Sequence, residues 1–187
     1  GQVYAATWPN GTRVVVKVDP GSEPELDIEG YMLRYLAEQS ALPVPALYHC
    51  SRDLLVMEYV AGSSRFDAAT EAHAAELLAE LHAVHAPAVG VARDTLIGAL
   101  PQPNPWMDSW VDFFGEQRLL HLARLGVEMA RMPAGLLQRI ERLCAQLDDY
   151  IDEPAQPALI HGDIWSSNVL AEDGRVTGFL DPAIYYG

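Results

Sequence analysis

Apolar and polar positions divide the chain into two unlike parts. Residues 3–8 and 12–18 are rich in β-branched and aromatic side chains and flank the tripeptide PNG. Asn10 and Gly11 both tolerate positive φ, so a β-hairpin is predicted there. The loop DPGSEPE follows, and between Glu25 and Gln39 the residues Ile28, Met32, Leu33 and Leu36 recur at helical spacing. Pro43 and Pro45 interrupt the chain, and residues 54–60, LLVMEYV, read as a buried strand closed by AGSS. Beyond this point the period is mostly helical. Residues 67–85 place Leu77, Leu78 and Leu81 on one face. Residues 106–126 carry Trp110, Phe113, Phe114, Leu120 and Leu125 at a spacing that reads as core. Residues 134–151 carry Leu136, Leu137, Ile140, Leu143 and Leu147. Two short strands, 168–171 and 176–180, surround an Asp173-Gly174 turn. The order predicts an α+β chain with a small β-rich lobe over residues 1–60 and a mainly helical lobe over 61–187 that holds a β-hairpin.

Composition narrows the classes of partner. Half of the 187 residues are hydrophobic, enough for a sizeable core. No run of about 18 apolar residues occurs, so no membrane-spanning helix is expected. A formal charge of −14 argues against a nucleic-acid or anionic-membrane surface. Cys50 and Cys144 form no CxxC pair, which argues against a zinc site or disulfide scaffold and fits a reducing cytoplasm. His82 and His85 share a helical face without a third ligand and read as solvated. The cations are more informative. Against eleven arginines there is one lysine, Lys17, inside the strand-like run TRVVVKVD.

The segment LIHGDIWSSNVL, residues 159–170, sets His161, Asp163 and Asn168 between apolar flanks. Buried carboxylates and amides need partners. His161-Gly162-Asp163, then Asn168, reproduces the H-x-D-x-x-x-x-N spacing of kinase catalytic loops, and Asp181 follows thirteen residues after Asn168. Phosphoryl transfer needs a carboxylate to orient the acceptor hydroxyl and take its proton, hard oxygen ligands for Mg²⁺, and positive charge against the phosphates. Asp163, then Asn168 with Asp181, then Lys17 supply these. Glu29, on the helix after the Lys17 strand, is the candidate partner of that lysine. Met57, Glu58, Tyr59 and Val60 fit a link between lobes whose backbone would hold the adenine of ATP.

HGDIWSSNVL, followed by GFLDPAIYYG, resembles the fructosamine kinase (ketosamine 3-kinase) family, within the aminoglycoside-phosphotransferase-like and protein-kinase-like superfamily. The stretch RDTLIGALPQPNPWMDSWVDFFGEQRL, residues 93–119, is similar to that family's central segment. The resemblance covers nearly the whole chain. It implies a two-lobed protein-kinase-like fold and ATP- and Mg²⁺-dependent phosphorylation of the O3 hydroxyl of a ketoamine, either a small molecule or a glycated protein lysine. In that frame Asp163 is the base, Lys17 and Glu29 serve the nucleotide phosphates, and Asn168 and Asp181 bind the metal. Gln102, Asn104, Trp106, His161 and Trp165 are expected on the acceptor side. Ser167 stands where the family commonly has glycine, and Pro182 follows Asp181 where protein kinases have Phe-Gly. The family pattern continues beyond both ends, so the chain reads as cut from a longer one. Two other readings stay open from the residues: a kinase of aminoglycosides or other small alcohols, and a nucleotide-binding scaffold without turnover. Preferred sugar and oligomeric state are not set by the sequence.

Overall fold

The computed structural model describes residues 1–187, and its first half is a four-stranded antiparallel sheet backed by one helix. Strands β1 (Gln2–Thr7) and β2 (Arg13–Val18) pair with Thr7 opposite Arg13. The turn between them forms as the Asn-Gly pair dictates, with Gly11 at φ +87° and Asn10 Oδ1 accepting from the N–H of Thr12. Helix α1 (Leu26–Gln39) follows. Strands β3 (Leu47–Cys50) and β4 (Leu54–Glu58) complete the sheet in the order β1-β2-β4-β3.

Helix α1 faces two ways. Its Leu33 packs with Leu55 and Met57 of β4, while Met32 and Leu36 join the main core with Leu81, Leu159, Phe179 and Ile184 from the second half. Close approach to the sheet is possible because residue 30 is glycine; a Cβ there would collide with Cys50 Sγ.

The second half starts with helix α2 (Ala68–His82), capped at its first turn by the Asp67 carboxylate, which accepts from the N–H of Thr70 at 2.8 Å. A short hairpin follows, β5 (Thr95–Ile97) and β6 (Leu100–Gln102). The aromatic stretch runs as helix α3 (Trp110–Phe113), a π-helical segment (Phe114–Leu120) and helix α4 (His121–Glu128). Phe113 is fully buried and Trp110 stacks on Tyr185, as core spacing anticipates. Helix α5 (Ala134–Cys144) ends before the expected residue 151, and a separate 3₁₀ turn (Leu147–Asp149) carries the chain on. Strands β7 (Leu159–Ile160) and β10 (Tyr185–Tyr186) pair with each other. Strands β8 (Val169–Glu172) and β9 (Arg175–Phe179) form the hairpin around Asp173-Gly174, where φ is positive at both residues. No helix is long and apolar enough to cross a membrane. Cys50 and Cys144 are free thiols.

Candidate active site

The lone lysine sits mid-strand in β2, between Val3 of β1 and Leu55 of β4. Glu29 lies one helical turn before Met32 and Leu33, so the packing that seats α1 also turns Glu29 inward. Lys17 Nζ meets Glu29 Oε1 at 2.7 Å and also contacts Asp181 Oδ1 from the other lobe. Burial works against the charge on Lys17, but Glu29 and Asp181 more than offset it, so the ammonium is held above the ordinary lysine range.

The catalytic-loop segment is built around Gly162. Its φ of +83° and its contact with the Ala183 carbonyl leave no room for a Cβ, which explains glycine between His161 and Asp163. Asn168, on a 3₁₀ turn (Ser166–Asn168), donates from Nδ2 to the Asp163 carbonyl at 3.1 Å and to Asp163 Oδ2 at 2.9 Å. With the amide nitrogen committed, its Oδ1 is the oxygen left for a ligand. The Asn168 carbonyl accepts from the N–H of Leu180 at 2.8 Å, which ties this loop to the strand end bearing Asp181. Ser167 keeps negative φ, so the turn does not require the glycine common in the family.

One cavity of about 620 Å³ brings the catalytic-loop residues, Asp181 and Glu29 together, while Lys17 does not line it and meets it through its bonds to Glu29 and Asp181. Asp163, Asn168, Asp181 and Trp165 line it with Glu29 and Met32 of α1. The tip of the β5–β6 hairpin, Leu96, Gly98 and Ala99, also lines it. A second cavity, about 590 Å³ between Gly62–Asp67 and the β8–β9 turn, holds none of the catalytic-loop residues.

Four of the five acceptor-side expectations need correction. Gln102, Asn104 and His161 are almost fully buried, and none lines the cavity. Gln102 Nε2 donates to Thr95 Oγ1 and the Ala183 carbonyl, while Asn104 Nδ2 donates to Thr95 Oγ1 and the Arg93 carbonyl. His161 packs against Phe179, and its Nδ1 accepts from the Asp163 N–H at 3.4 Å. Trp106 is half exposed but leans on Tyr186 and is likewise outside the cavity. Trp165 alone of the five lines it, and the residue is 58% exposed. The residues that sequence reasoning missed are Leu96, Gly98 and Ala99. A polar, proline-rich run looked like the contact surface, whereas the small apolar turn just before it occupies the wall.

In the link between lobes, Met57 is buried in the sheet core and Glu58 accepts from the N–H of Ala46 through its carboxylate. The Tyr59 ring lies under the Arg13 guanidinium at 3.5 Å, and Val60 abuts Gly178 of β9. These side chains have protein partners, the N–H groups of Glu58 and Tyr59 donate to the Ala46 and Arg13 carbonyls, and none of the four residues lines the cavity.

Burial drives the His161 imidazole down to about 4 despite the nearby Asp181 carboxylate. The native state therefore holds it neutral while the unfolded chain binds a proton first. Its contribution is fully present above the unfolded value near 6.5 and is lost as pH falls toward 4. At about 1.36 kcal/mol per pH unit, that span corresponds to roughly 3 kcal/mol. Thermal melts from pH 7 to pH 4 should show a steeper loss for the wild type than for His161→Gln. Parallel curves would remove His161 from the acid response.

The helix-backed sheet, the cross-lobe lysine pair and the Asp163–Asn168–Asp181 loop define the protein-kinase-like fold class. Crystal structures of putative fructosamine-3-kinases align with it: that from Thermobifida fusca at TM-score 0.85 and 31% identity, covering 99% of this chain and 65% of that one. An aminoglycoside phosphotransferase solved with AMP-PNP and hygromycin B shares the fold at TM-score 0.65 and 17% identity, covering 100% of this chain and 68% of that one.

The chain belongs to the fructosamine kinase family, whose sequence profile matches residues 2–187. A probable ketoamine kinase of Synechocystis is 43% identical over 59% of this chain and 37% of its own length. A probable ketoamine kinase of Escherichia coli is 32% identical over 100% of this chain and 66% of its own. The chloroplastic protein-ribulosamine 3-kinase of Arabidopsis thaliana is 31% identical over 71% of this chain and 41% of its own. The chain thus spans between about a third and two thirds of the length of these relatives.

Proposed function

We propose that the protein transfers the γ-phosphoryl group of ATP to the O3 hydroxyl of a ketoamine. The observation that carries this reading is a single cavity lined by Asp163, an exposed Trp165, Asn168, Asp181 and Glu29, with Lys17 bonded to the last two from behind the wall. Asp163 accepts the hydroxyl proton as the O3–phosphorus bond forms and the bond to the β–γ bridging oxygen breaks, leaving ADP. Lys17 places fixed positive charge against the phosphates, and Glu29 keeps it aimed. Within the link at residues 57–60, the base is held by those backbone groups that the sheet leaves unpaired, and Trp165 stacks against the sugar.

The donors suit Mg²⁺. Asn168 Oδ1 and the Asp181 carboxylate are hard oxygens on one cavity, and Mg²⁺ is commonly held by one or two protein oxygens plus phosphates and water. There is no group of three or more His, Cys, Asp or Glu side chains of the kind that holds a metal without a substrate. The cavity is also lined by six carboxylates, Asp19, Glu23, Glu25, Glu29, Asp163 and Asp181, which would repel a bare triphosphate. When bound, Mg²⁺ supplies the positive charge that offsets both. The same acidic wall suits an acceptor that carries an amine, as a fructosyl- or ribulosyl-lysine does. The free thiols and the ATP requirement fit a reducing, cytoplasm-like compartment.

Acidic walls suit polycationic aminoglycosides too, so the test compares acceptors. The full-length protein should give a larger kcat/KM for ribulosyl- or fructosyl-lysine than for kanamycin, with phosphate on O3 of the ketoamine product. A ratio below one would reject the ketoamine and leave the phosphotransfer chemistry standing.

A further inference from the structure

Asp181 has φ of +49°, in the left-handed region, and it precedes a proline. Aspartate tolerates that region better than most residues, yet a non-glycine residue there still carries a cost that its surroundings must offset. The surroundings here are unusual for a core. The N–H of Ala183, two residues on, donates to the His161 carbonyl at 2.7 Å, and its carbonyl accepts from Gln102 Nε2 at 2.9 Å. The next carbonyl, of Ile184, accepts from Thr95 Oγ1 at 3.5 Å. Thr95 Oγ1 in turn accepts from Gln102 Nε2 at 3.0 Å and from Asn104 Nδ2 at 2.8 Å, so the hydroxyl uses its proton and both lone pairs.

Asn104 Oδ1 accepts from Arg118 Nη2 at 2.5 Å, and Arg118 also donates to the carbonyls of Pro103 and Gln117. Arg118 reaches this position from the π-helical segment, lying over the Phe113 and Tyr185 rings. Thr95, Gln102, Asn104 and Arg118 are each buried. Non-directional apolar packing would fill this space as well; a chain of hydrogen bonds, complete except for the buried Arg118 Nε, fixes the direction of two carbonyls just after Asp181.

We propose that Gln102 and Thr95, braced by Asn104 and Arg118, are positioning residues that hold the Asp181 loop in its metal-binding conformation. The inference rests on the metal-ligand role given above to Asp181. It reassigns the PQPN segment from touching the acceptor to aiming the metal. The β5–β6 hairpin then has two duties: its tip walls the cavity, and its base grips the loop opposite.

The test reads metal dependence, which a merely structural role would not move. AMP-PNP binding to the full-length protein is titrated with Mg²⁺ for the wild type, Gln102→Met, Thr95→Val and Thr95→Ser. Gln102→Met and Thr95→Val should raise the Mg²⁺ midpoint by about 10–100-fold, the usual effect of losing a group that orients a metal ligand. Thr95→Ser, which keeps the hydroxyl, should stay close to the wild type. Val176→Ala, a buried change at the far end of β9 from Asp181, should lower the melting temperature and leave the midpoint in place. A Gln102→Met protein with a lowered melting temperature and a wild-type midpoint would overturn the proposal. If Gln102→Met does not fold, the Thr95→Val and Thr95→Ser pair decides by the same readout, and equal midpoints overturn it. Wild-type AMP-PNP binding that ignores Mg²⁺ would remove the role of Asp181, and the positioning role with it.

Discussion

Replacing Asp163 with asparagine should lower turnover by about 10²–10⁴-fold, the range for loss of a general base. Nucleotide affinity should stay near that of the wild type. The reason lies in the hydrogen bond from Asn168 Nδ2 to Asp163 Oδ2. An asparagine at 163 still offers an oxygen to that donor, so the Asn168 amide keeps its orientation and its Oδ1 still faces a ligand. What disappears is the negative charge and the capacity to take a proton. Steady-state kinetics with a ketoamine, alongside calorimetric binding of AMP-PNP, separate the two effects. Near-normal kcat in a folded Asp163→Asn protein would show that another group accepts the proton.

A comparable loss is expected from Asp181→Ala, by a different route. Asp181 and Glu29 both touch Lys17 and line the cavity with Asn168, but only Asp181 comes from the lobe that holds the catalytic loop. On the metal role proposed for Asp181, its removal would take away a hard oxygen ligand and negative charge that draws Mg²⁺ to the cavity. Metal charge stabilisation is worth several kcal/mol, so turnover should fall by about 10³-fold or more. Nucleotide binding should lose its dependence on Mg²⁺. Fold stability should change little, because the side chain is half exposed and Lys17 keeps Glu29. Mg²⁺ titrations at fixed AMP-PNP read the first effect and thermal melts the second. Retained metal-dependent binding in Asp181→Ala would move the metal to other ligands.

The parts of the site that could be read in the sequence are those with local or spacing signals. Lys17 stood out because a strand interior rarely keeps a lone lysine, and Glu29 because α1 has a clear apolar face. The His-Gly-Asp and Asn168 spacing is confined to one short loop. The parts that could not be read depend on distant partners. Gln102 and Asn104 lie in a proline-rich run that looks like surface, and only Thr95, Ala183 and Arg118, far apart in sequence, bring them inside. Strands β5 and β6 have three residues each, too few for a period to register. Strand β3, LYHC, alternates only weakly and follows two prolines. The π-helical segment shifts the register of an otherwise helical pattern, so that Arg118 points inward from a stretch that reads as regular helix.

Helix α1 is wedged between two cores, with Leu33 committed to the sheet and Met32 and Leu36 to the second lobe. Swinging it outward would break the Lys17–Glu29 pair, the off-switch available to many kinase-like folds. Here that motion would expose three buried side chains, each worth about 1.5–3 kcal/mol, so the penalty is on the order of 5 kcal/mol or more. At 1.4 kcal/mol per factor of ten, the swung-out state would hold fewer than about one molecule in a thousand. On the function proposed above, α1 is thus held where Glu29 meets Lys17, and control by a toggling helix is not expected.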